Sequence, residues 1–434
     1  MQAAVFLGVK EVNRLYPNIN FSLKLKNDSQ TCFTNHAGAF AAEEFYNNDV
    51  TAFIGPACSK ALESVSRMSS YWNVPIYTAG GIDAQFAMKN IYTTLTRLSF
   101  SSEQVSKFLL QILKQFQWRH MAILVDDSQS SETILRRSLS TVIRDTDYEI
   151  FPIYKEFYSP LEPNYKSMLR DASNGARVFL LLSCGSVIRE ILLAAYDLGM
   201  DNGEFAFLAV ELLKTDNGNR FSWYKENDTR NKEAREMFES LMLVSVRVPV
   251  SEDYDNFVRD IQETAGKEFS TILAKDAINP MIGSFYDCVL LYGYSLNKTL
   301  FENADPYNGT LISRQIWNST FHGGNSLTLT GNIIINENGD READYTLNDM
   351  DPFTGLMTPI ATYFGGKQLF EKLDGYEINW PHNKGAPYDI PLCGFTGNAQ
   401  ECLPPEPFPI LGVIFPIICF VAIVGSLAGV FSYK

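Results

Sequence analysis

In 434 residues there are four histidines and seven cysteines, and neither type falls into a metal-binding spacing. No C-x-x-C pair occurs, and His36, His120, His322 and His382 lie far apart, so no metal site is expected. The sequence also lacks a G-x-x-x-x-G-K-[ST] phosphate loop, a G-x-S-x-G elbow and an H-E-x-x-H helix, the commonest catalytic signatures. Asp349 and Asp351 in NDMDP invite a calcium reading, but the glycine and distant glutamate of an EF-hand loop are missing, which leaves solvated turn carboxylates. Positive charge is in deficit: 36 Lys+Arg against 50 Asp+Glu give a net charge of −14, a balance that repels nucleic acid. Long uncharged runs are absent with one exception, which excludes a polytopic membrane protein. No enzyme activity is expected of these residues, and no cofactor.

What is present begins with 46% hydrophobic and 20% charged residues, the balance of a folded chain with a sizeable core. The one long apolar run is ILGVIFPIICFVAIVGSLAGV, residues 410–430, with Pro416 inside and Lys434 as the first charge beyond it. As a helix it would reach about 31 Å, enough for a single membrane span with a cytoplasmic end at Lys434. Six N-x-S/T sequons, at Asn20, Asn27, Asn227, Asn297, Asn308 and Asn318, fit an extracellular glycoprotein. Cys393 and Cys402 lie nine residues apart in a Pro- and Gly-containing segment and suit a disulfide loop; Cys32 and Cys58 are the other pair to join. Cys184, Cys288 and Cys419 are then left over. The opening MQAAVFLGVKEVNRLYP is no secretory leader but an amphipathic helix, with Ala4, Val5, Leu7, Gly8, Val12 and Leu15 on or near one face. The expectation is that further residues precede Met1.

Along the chain, apolar strands and amphipathic helices alternate. Strands are expected at 20–27, 50–57, 74–81, 120–127, 148–157, 176–184, 204–213 and 241–249. Helices are expected at 38–48, 60–73, 102–116, 131–144, 164–174, 186–199, 253–266 and 279–300. This is the pattern of a doubly wound, mostly parallel α/β sheet, with too many strands for one sheet, so two lobes are expected. Residues 329–352 read as a β-hairpin around an Asn-Gly-Asp turn, and 358–373 as a second strand pair turning at Gly365–Gly366. Polar, Pro-rich sequence from Trp380 to Pro409 reads as a stalk.

Several stretches resemble the extracellular region of the natriuretic peptide receptor and receptor guanylyl cyclase family: FIGPAC (53–58), WNVPIYTAGG (72–81), EFAFLAVELL (204–213), SFYDCVLLYGYSL (284–296), IWNSTFHG (316–323), NENGDREADYTLNDMDPFTG (336–355) and DIPLCGF (389–395). The resemblance covers essentially the whole chain. It implies a two-lobed type I periplasmic-binding-protein-like fold followed by a single transmembrane helix. Residues 1–98 and 243–326 would form the membrane-distal lobe, lacking its first strand. Residues 99–242 and 327–392 would form the membrane-proximal lobe, with 393–409 a juxtamembrane stalk and 410–433 the membrane helix. The implied function is ligand binding by a single-pass plasma-membrane receptor, a homodimer that passes ligand-induced rearrangement across the bilayer. The alternatives are a clearance-type receptor without a cyclase, or an amino-acid-sensing ectodomain of the same fold. Any guanylate cyclase domain would lie beyond Lys434.

By position, the resemblance places Arg67 on the family's peptide-binding surface, and Glu156 and Phe157 at its membrane-proximal peptide contact. Tyr154 stands where the family has a histidine, Lys60 where it has an aromatic contact and Thr34 where it has an acidic one. A bound chloride would be held by the Ser29 hydroxyl and the backbone N–H groups of Ala57 and Cys58. The family pattern supports the disulfides Cys32–Cys58 and Cys393–Cys402. Its middle-lobe disulfide is not reproduced, because Thr133 stands near the first position and Cys184 two residues from the second. Helices 38–48 and 60–71 would form the dimer contact, with one of the adjacent Phe45 and Tyr46 exposed.

Overall fold

A computed structural model describes residues 1–26, 34–212, 221–323, 328–403 and 417–425. It divides into two compact units, Met1–Asp389 and Ile390–Lys434.

The first unit is built on two main sheets. The chain opens with α1 (Gln2–Leu15) and α2 (Thr34–Asn47), then alternates β1 (Phe53–Ile54), α3 (Ser59–Trp72), β2 (Ile76–Thr78) and β3 (Leu95–Arg97). These strands make a short parallel sheet in the order β1-β2-β3. There follow α4 (Ser102–Gln115), β4 (His120–Asp126), α5 (Ser130–Arg144), β5 (Phe151–Phe157), α6 (Tyr165–Ser173), β6 (Val178–Leu182), α7 (Gly185–Tyr196), β7 (Ala206–Glu211), α8 (Asn231–Phe238) and β8 (Leu241–Val246). After these the chain forms α9 (Glu252–Phe269), α10 (Pro280–Phe301), α11 (Gly309–Arg314), β9 (Ser319–Phe321) and β10 (Ile333–Ile335). It closes with β11 (Tyr345–Met350), β12 (Met357–Phe364) and β13 (Leu369–Lys372). The large sheet runs β13-β12-β11-β8-β7-β6-β4-β5, parallel from β8 to β5 and antiparallel from β8 outward to β13.

The alternation in sequence becomes two packed faces. Met121, Ile123 and Val125 of β4 enter one core with α4 and α5, while Ala122 and Leu124 enter the other with α6 and α7. Strand β6, VFLLL, is buried along its whole length, as expected of a parallel strand covered by helices on both sides. A third core joins α1, α9 and α10, and a fourth joins α2 and α3 to the short sheet. The helix starts follow capping chemistry: Ser101, Ser251 and Asn279 accept from backbone amides of α4, α9 and α10.

Three stretches carry the chain to or from the large sheet: 98–101 leaves β3, 247–251 leaves β8, and 336–344 leaves β10, which forms a separate two-stranded sheet with β9. The third is tied to both others. Arg97 N–H donates to Gly339 O and Arg341 N–H to Arg97 O, each at 2.9 Å, and Arg247 N–H donates to Asp344 O at 2.9 Å.

Two expectations are corrected. Residues 20–24 alternate in exposure as anticipated, but 24–26 are all exposed and the described part of 20–27 forms no strand; Asn13 holds it instead, its side chain both donating to and accepting from the Phe21 backbone. The hairpin expected over 329–352 is confined to its turn, where Ile335 and Arg341 bridge antiparallel and Glu342 N–H donates to Ile334 O. The turn exists, with Gly339 at φ +67°, but β10 pairs with β9 while β11 joins the large sheet, so the turn marks a crossing between sheets. The pair around Gly365–Gly366 is present as β12 and β13. The short elements β3, α8, α11 and β9 were not anticipated.

In the second unit Cys393 and Cys402 form a disulfide with Cα atoms 5.4 Å apart, and residues 417–425 are helical. Among the described residues no helix is long and apolar enough to cross a membrane; most of the expected span 410–433 lies outside them.

Candidate ligand-binding site

Helix α3 buries Ala61, Leu62, Val65, Ser66 and Ser69 on one face, so Lys60 and Arg67, two turns apart, share the exposed side. Arg67 pairs with Glu63 at 3.2 Å and lies 5.4 Å from the centre of the Tyr92 ring. The surroundings therefore orient this guanidinium before any ligand arrives. Thr34 opens α2; its side chain lies outside the described residues.

Strand β5 is an edge of the large sheet, and its alternation separates the remaining candidates. Tyr154 and Glu156 face α5, where the Tyr154 hydroxyl meets Ser140 Oγ at 2.9 Å and Arg136 pairs with Glu156 at 3.3 Å. Both are open to solvent, Tyr154 at 37% and the Glu156 side chain at 48%. Phe157, one residue on, points the other way. It is 7% exposed and packs edge-to-face on Tyr165 within the core. Of the Glu-Phe pair, only Glu156 is presented to a ligand. Arg67 belongs to the short-sheet side and Glu156 to the large sheet, so the structure places the candidates in two separate groups.

The turn before α3 has the features of an anion cradle. Gly55 sits at φ +95°, Pro56 follows a cis bond, and Cys58 is the N-cap of α3 with no side-chain cap of its own. A helix start without a capping oxygen leaves its first amides oriented toward an anion. The loop is packed closely, because a Cβ on Gly80 would stand 2.0 Å from Ala57 O. The positions expected to hold chloride, Ala57 and Cys58, lie in this turn; the third, Ser29, lies outside the described residues. Cys58 is disulfide-bonded, and its expected partner Cys32 also lies outside them. Cys184, Cys288 and Cys419 are free thiols, and burial pushes the Cys288 thiol well up.

Among the sequons, Asn20, Asn227 and Asn318 are exposed. Asn297 is half-buried on α10, and its sequon partner Thr299 is fully buried against Ser295 O. Asn308 caps α11 through its side-chain oxygen. Asn27 lies outside the described residues.

On α2 and α3, Phe45 stacks on Trp72 with centroids 4.3 Å apart, which turns Tyr46 outward to 71% exposure. Tyr71, which sequence reasoning did not single out, directly precedes Trp72 and is 86% exposed. The buried positions 61, 62, 65, 66 and 69 of α3 leave Tyr71 off that face.

Sequence reasoning also missed the charged joint between the sheets. Arg97 and Asp340 form a buried two-point pair at 2.7 and 2.6 Å, and Lys89 reaches the same carboxylate at 3.2 Å. The Arg97 guanidinium also donates to Gly81 O and Asp83 O. Burial lowers the Lys89 ammonium to about 8 although Asp340 opposes this, and the two cations hold the Asp340 carboxyl low against its own burial. Next along the chain, Arg341 donates to Thr330, whose backbone and hydroxyl in turn bond the fully buried Asp287 of α10. Lys89, Arg97 and Asp340 give no local signal, because Asp340 lies more than two hundred positions away in the chain from both cations.

Residues 1–352 match the family described as the receptor family ligand binding region. Receptor-type guanylate cyclase gcy-28 of Caenorhabditis elegans is 27% identical over 441 residues, covering 89% of this chain and 34% of its own length. Atrial natriuretic peptide receptor 3 of Homo sapiens is 27% identical over 335 residues, covering 75% of this chain and 59% of its own. Atrial natriuretic peptide receptor 2 of Rattus norvegicus is 28% identical over 415 residues, covering 92% and 38%. The chain therefore spans between 34% and 59% of the length of these relatives. With the match running from Met1 through the short sheet and most of the large sheet to Pro352, the chain belongs to the receptor family ligand binding region, and its relatives over most of its length are receptor guanylate cyclases and natriuretic peptide receptors.

Proposed function

We propose that the chain is the extracellular ligand-binding region of a single-pass plasma-membrane receptor, of the guanylyl cyclase kind, and that it works as a homodimer around a peptide ligand. The observation that carries this reading is the family match over residues 1–352, which takes in the short sheet, most of the large sheet and the three stretches between them, the third of these bonded to Arg97 and Arg247. Two lobes linked in that way can hinge or twist, and a ligand that prefers one arrangement shifts the population toward it. No chemistry within the ectodomain is needed. The exposed Tyr46 and Tyr71 on α2 and α3 provide the dimer contact. Arg67 and Lys60 on α3, with Tyr154 and Glu156 on β5, provide two separated contact groups for an elongated ligand. Lys60 and Thr34 set the ligand apart from the mammalian natriuretic peptides. Chloride would sit at Ala57 and Cys58 with Ser29, and the uncharged run 410–430 would anchor the chain with Lys434 inside.

The test is the transcript beyond Lys434, followed by cyclic GMP measurement in cells expressing the whole protein against a peptide library. Kinase-like and cyclase coding regions with a cyclic GMP response to one peptide support the proposal. A stop codon after a short tail would make the protein a clearance-type receptor without a cyclase. A response to a free amino acid, lost on mutation inside the first unit, would favour the amino-acid-sensing alternative.

A further inference from the structure

Asp349 is the one carboxylate of β11 turned into the protein, at 3% exposure. Its Oδ2 accepts the Asn379 N–H at 2.7 Å, while its Oδ1 is buried with no hydrogen-bond partner. The neighbouring strand β12 offers Thr358, whose hydroxyl goes to the Asp349 backbone oxygen and not to the carboxylate. The charged group that faces it is Glu239, from the turn between α8 and β8, around which stand Arg235, Glu236 and His382. Among the described residues no cation pairs with the Asp349 carboxylate.

Asn379 lies in segment 374–389, by which the chain leaves the large sheet. Around the Asn379 contact, Trp380 packs edge-on to Trp118 and Phe116, and His382 and Lys384 contact the Asp201 and Asn202 carbonyl oxygens. Trp118 donates to Pro387 O, and Asp389 bonds the Arg119 and His120 amides and the His120 ring. A buried ionised carboxylate with one unpaired oxygen and a second carboxylate nearby costs more than the neutral acid in the same place.

We propose that the Asp349 carboxyl is a pH-operated latch: protonated, it holds segment 374–389 on the sheet, and ionised, it loosens that segment. Burial, with a smaller contribution from Glu239, pushes the carboxyl up to about 7, against the downward pull of the Asn379 and Met350 amides. Once the segment is released, the carboxyl on β11 is solvated and ionises in the ordinary range near 4. The held state therefore keeps its proton between roughly pH 4 and 7 where the released state does not, so the latch is tightest at the acid end and weakens up to about pH 7.

Hydrogen exchange of the full chain in detergent, read on peptides covering 377–381 and corrected for intrinsic rates, tests this. Protection should fall by up to about tenfold per pH unit between pH 5 and 7 and level off above. Asp349→Asn should give high protection that does not change with pH, and Glu239→Gln should move the fall to lower pH. His120→Gln and His382→Gln, which remove the other titratable contacts of the segment, should leave the fall in place. A flat wild-type profile overturns the proposal. So does a slope that survives in Asp349→Asn, or one that disappears in His120→Gln or His382→Gln.

Discussion

The two sheets of the first unit reach stability by different means. In the large sheet, strands of four to eight residues exchange long runs of backbone hydrogen bonds and bury side chains on both faces. The short sheet has strands of two or three residues, too few for the ladder alone to hold it. Side chains do that work instead. Asn73 at the left-handed end of α3 accepts from Thr310 N–H and hydroxyl, Tyr77 donates to Ser295 of α10, and Ser69 meets the Val74 carbonyl and Thr94. Its core depends on close approach of α1 to α10, where Gly8 faces Val289 and Gly293 faces Val12. A ladder tolerates local change because it is made of backbone, whereas a set of single side-chain ties does not.

The largest effect should come at the joint that both regions share. Arg97→Ala leaves Asp340 buried without its two-point partner, and the expected cost is about 3–5 kcal/mol, measured by urea unfolding. A loss under 1 kcal/mol would mean that Lys89 alone suffices. Within the large sheet, Leu180→Ala empties a fully buried position of β6 and should cost about 3 kcal/mol. Both cores should then unfold together if the crossings couple them; two separate transitions would show that they do not. In the small region, Gly293→Val puts a Cβ 2.6 Å from Val12 and should cost about 2 kcal/mol by overpacking, and limited proteolysis should then cut first around α1. If the cost matched that of a surface substitution, the α1–α10 approach would not be the basis of this core. The smallest effect on stability belongs to Tyr46→Glu, within about 0.5 kcal/mol because the ring is solvated. The same substitution should dissociate the proposed dimer in sedimentation velocity; an unchanged dimer would move the contact away from α2 and α3.

The long elements were legible because each carries its own period. Strand β6 as an unbroken apolar run, β4 as a strand with two buried faces, and α4 and α10 as capped amphipathic stretches need no knowledge of their neighbours. The segment 20–26 misled for the opposite reason: its alternation is real over 20–24, but a strand also needs a partner, and Asn13 took that place. The turn at 336–340 has the chemistry of a hairpin, yet only tertiary pairing shows that its two arms go to different sheets.

The candidate site divides in the same way. Residue types and spacing placed Lys60 and Arg67 on one helix and expected one of Phe45 and Tyr46 to be exposed, since neighbours on a helix cannot share a face. Which of the two was decided by Trp72, a residue of another helix, stacking on Phe45. Phe157 was likewise settled by strand register, which turns it inward and leaves Glu156 outside. By itself the sequence determined the α/β class, the negative charge, the Cys393–Cys402 loop and most of the long helices and strands, all properties of local pattern and composition. Only the tertiary structure decided the Arg97–Asp340–Lys89 joint, the buried Asp349 and the assignment of strands to two sheets. Those depend on contacts between residues far apart in the chain, whose energies come from burial and pairing that no local period encodes.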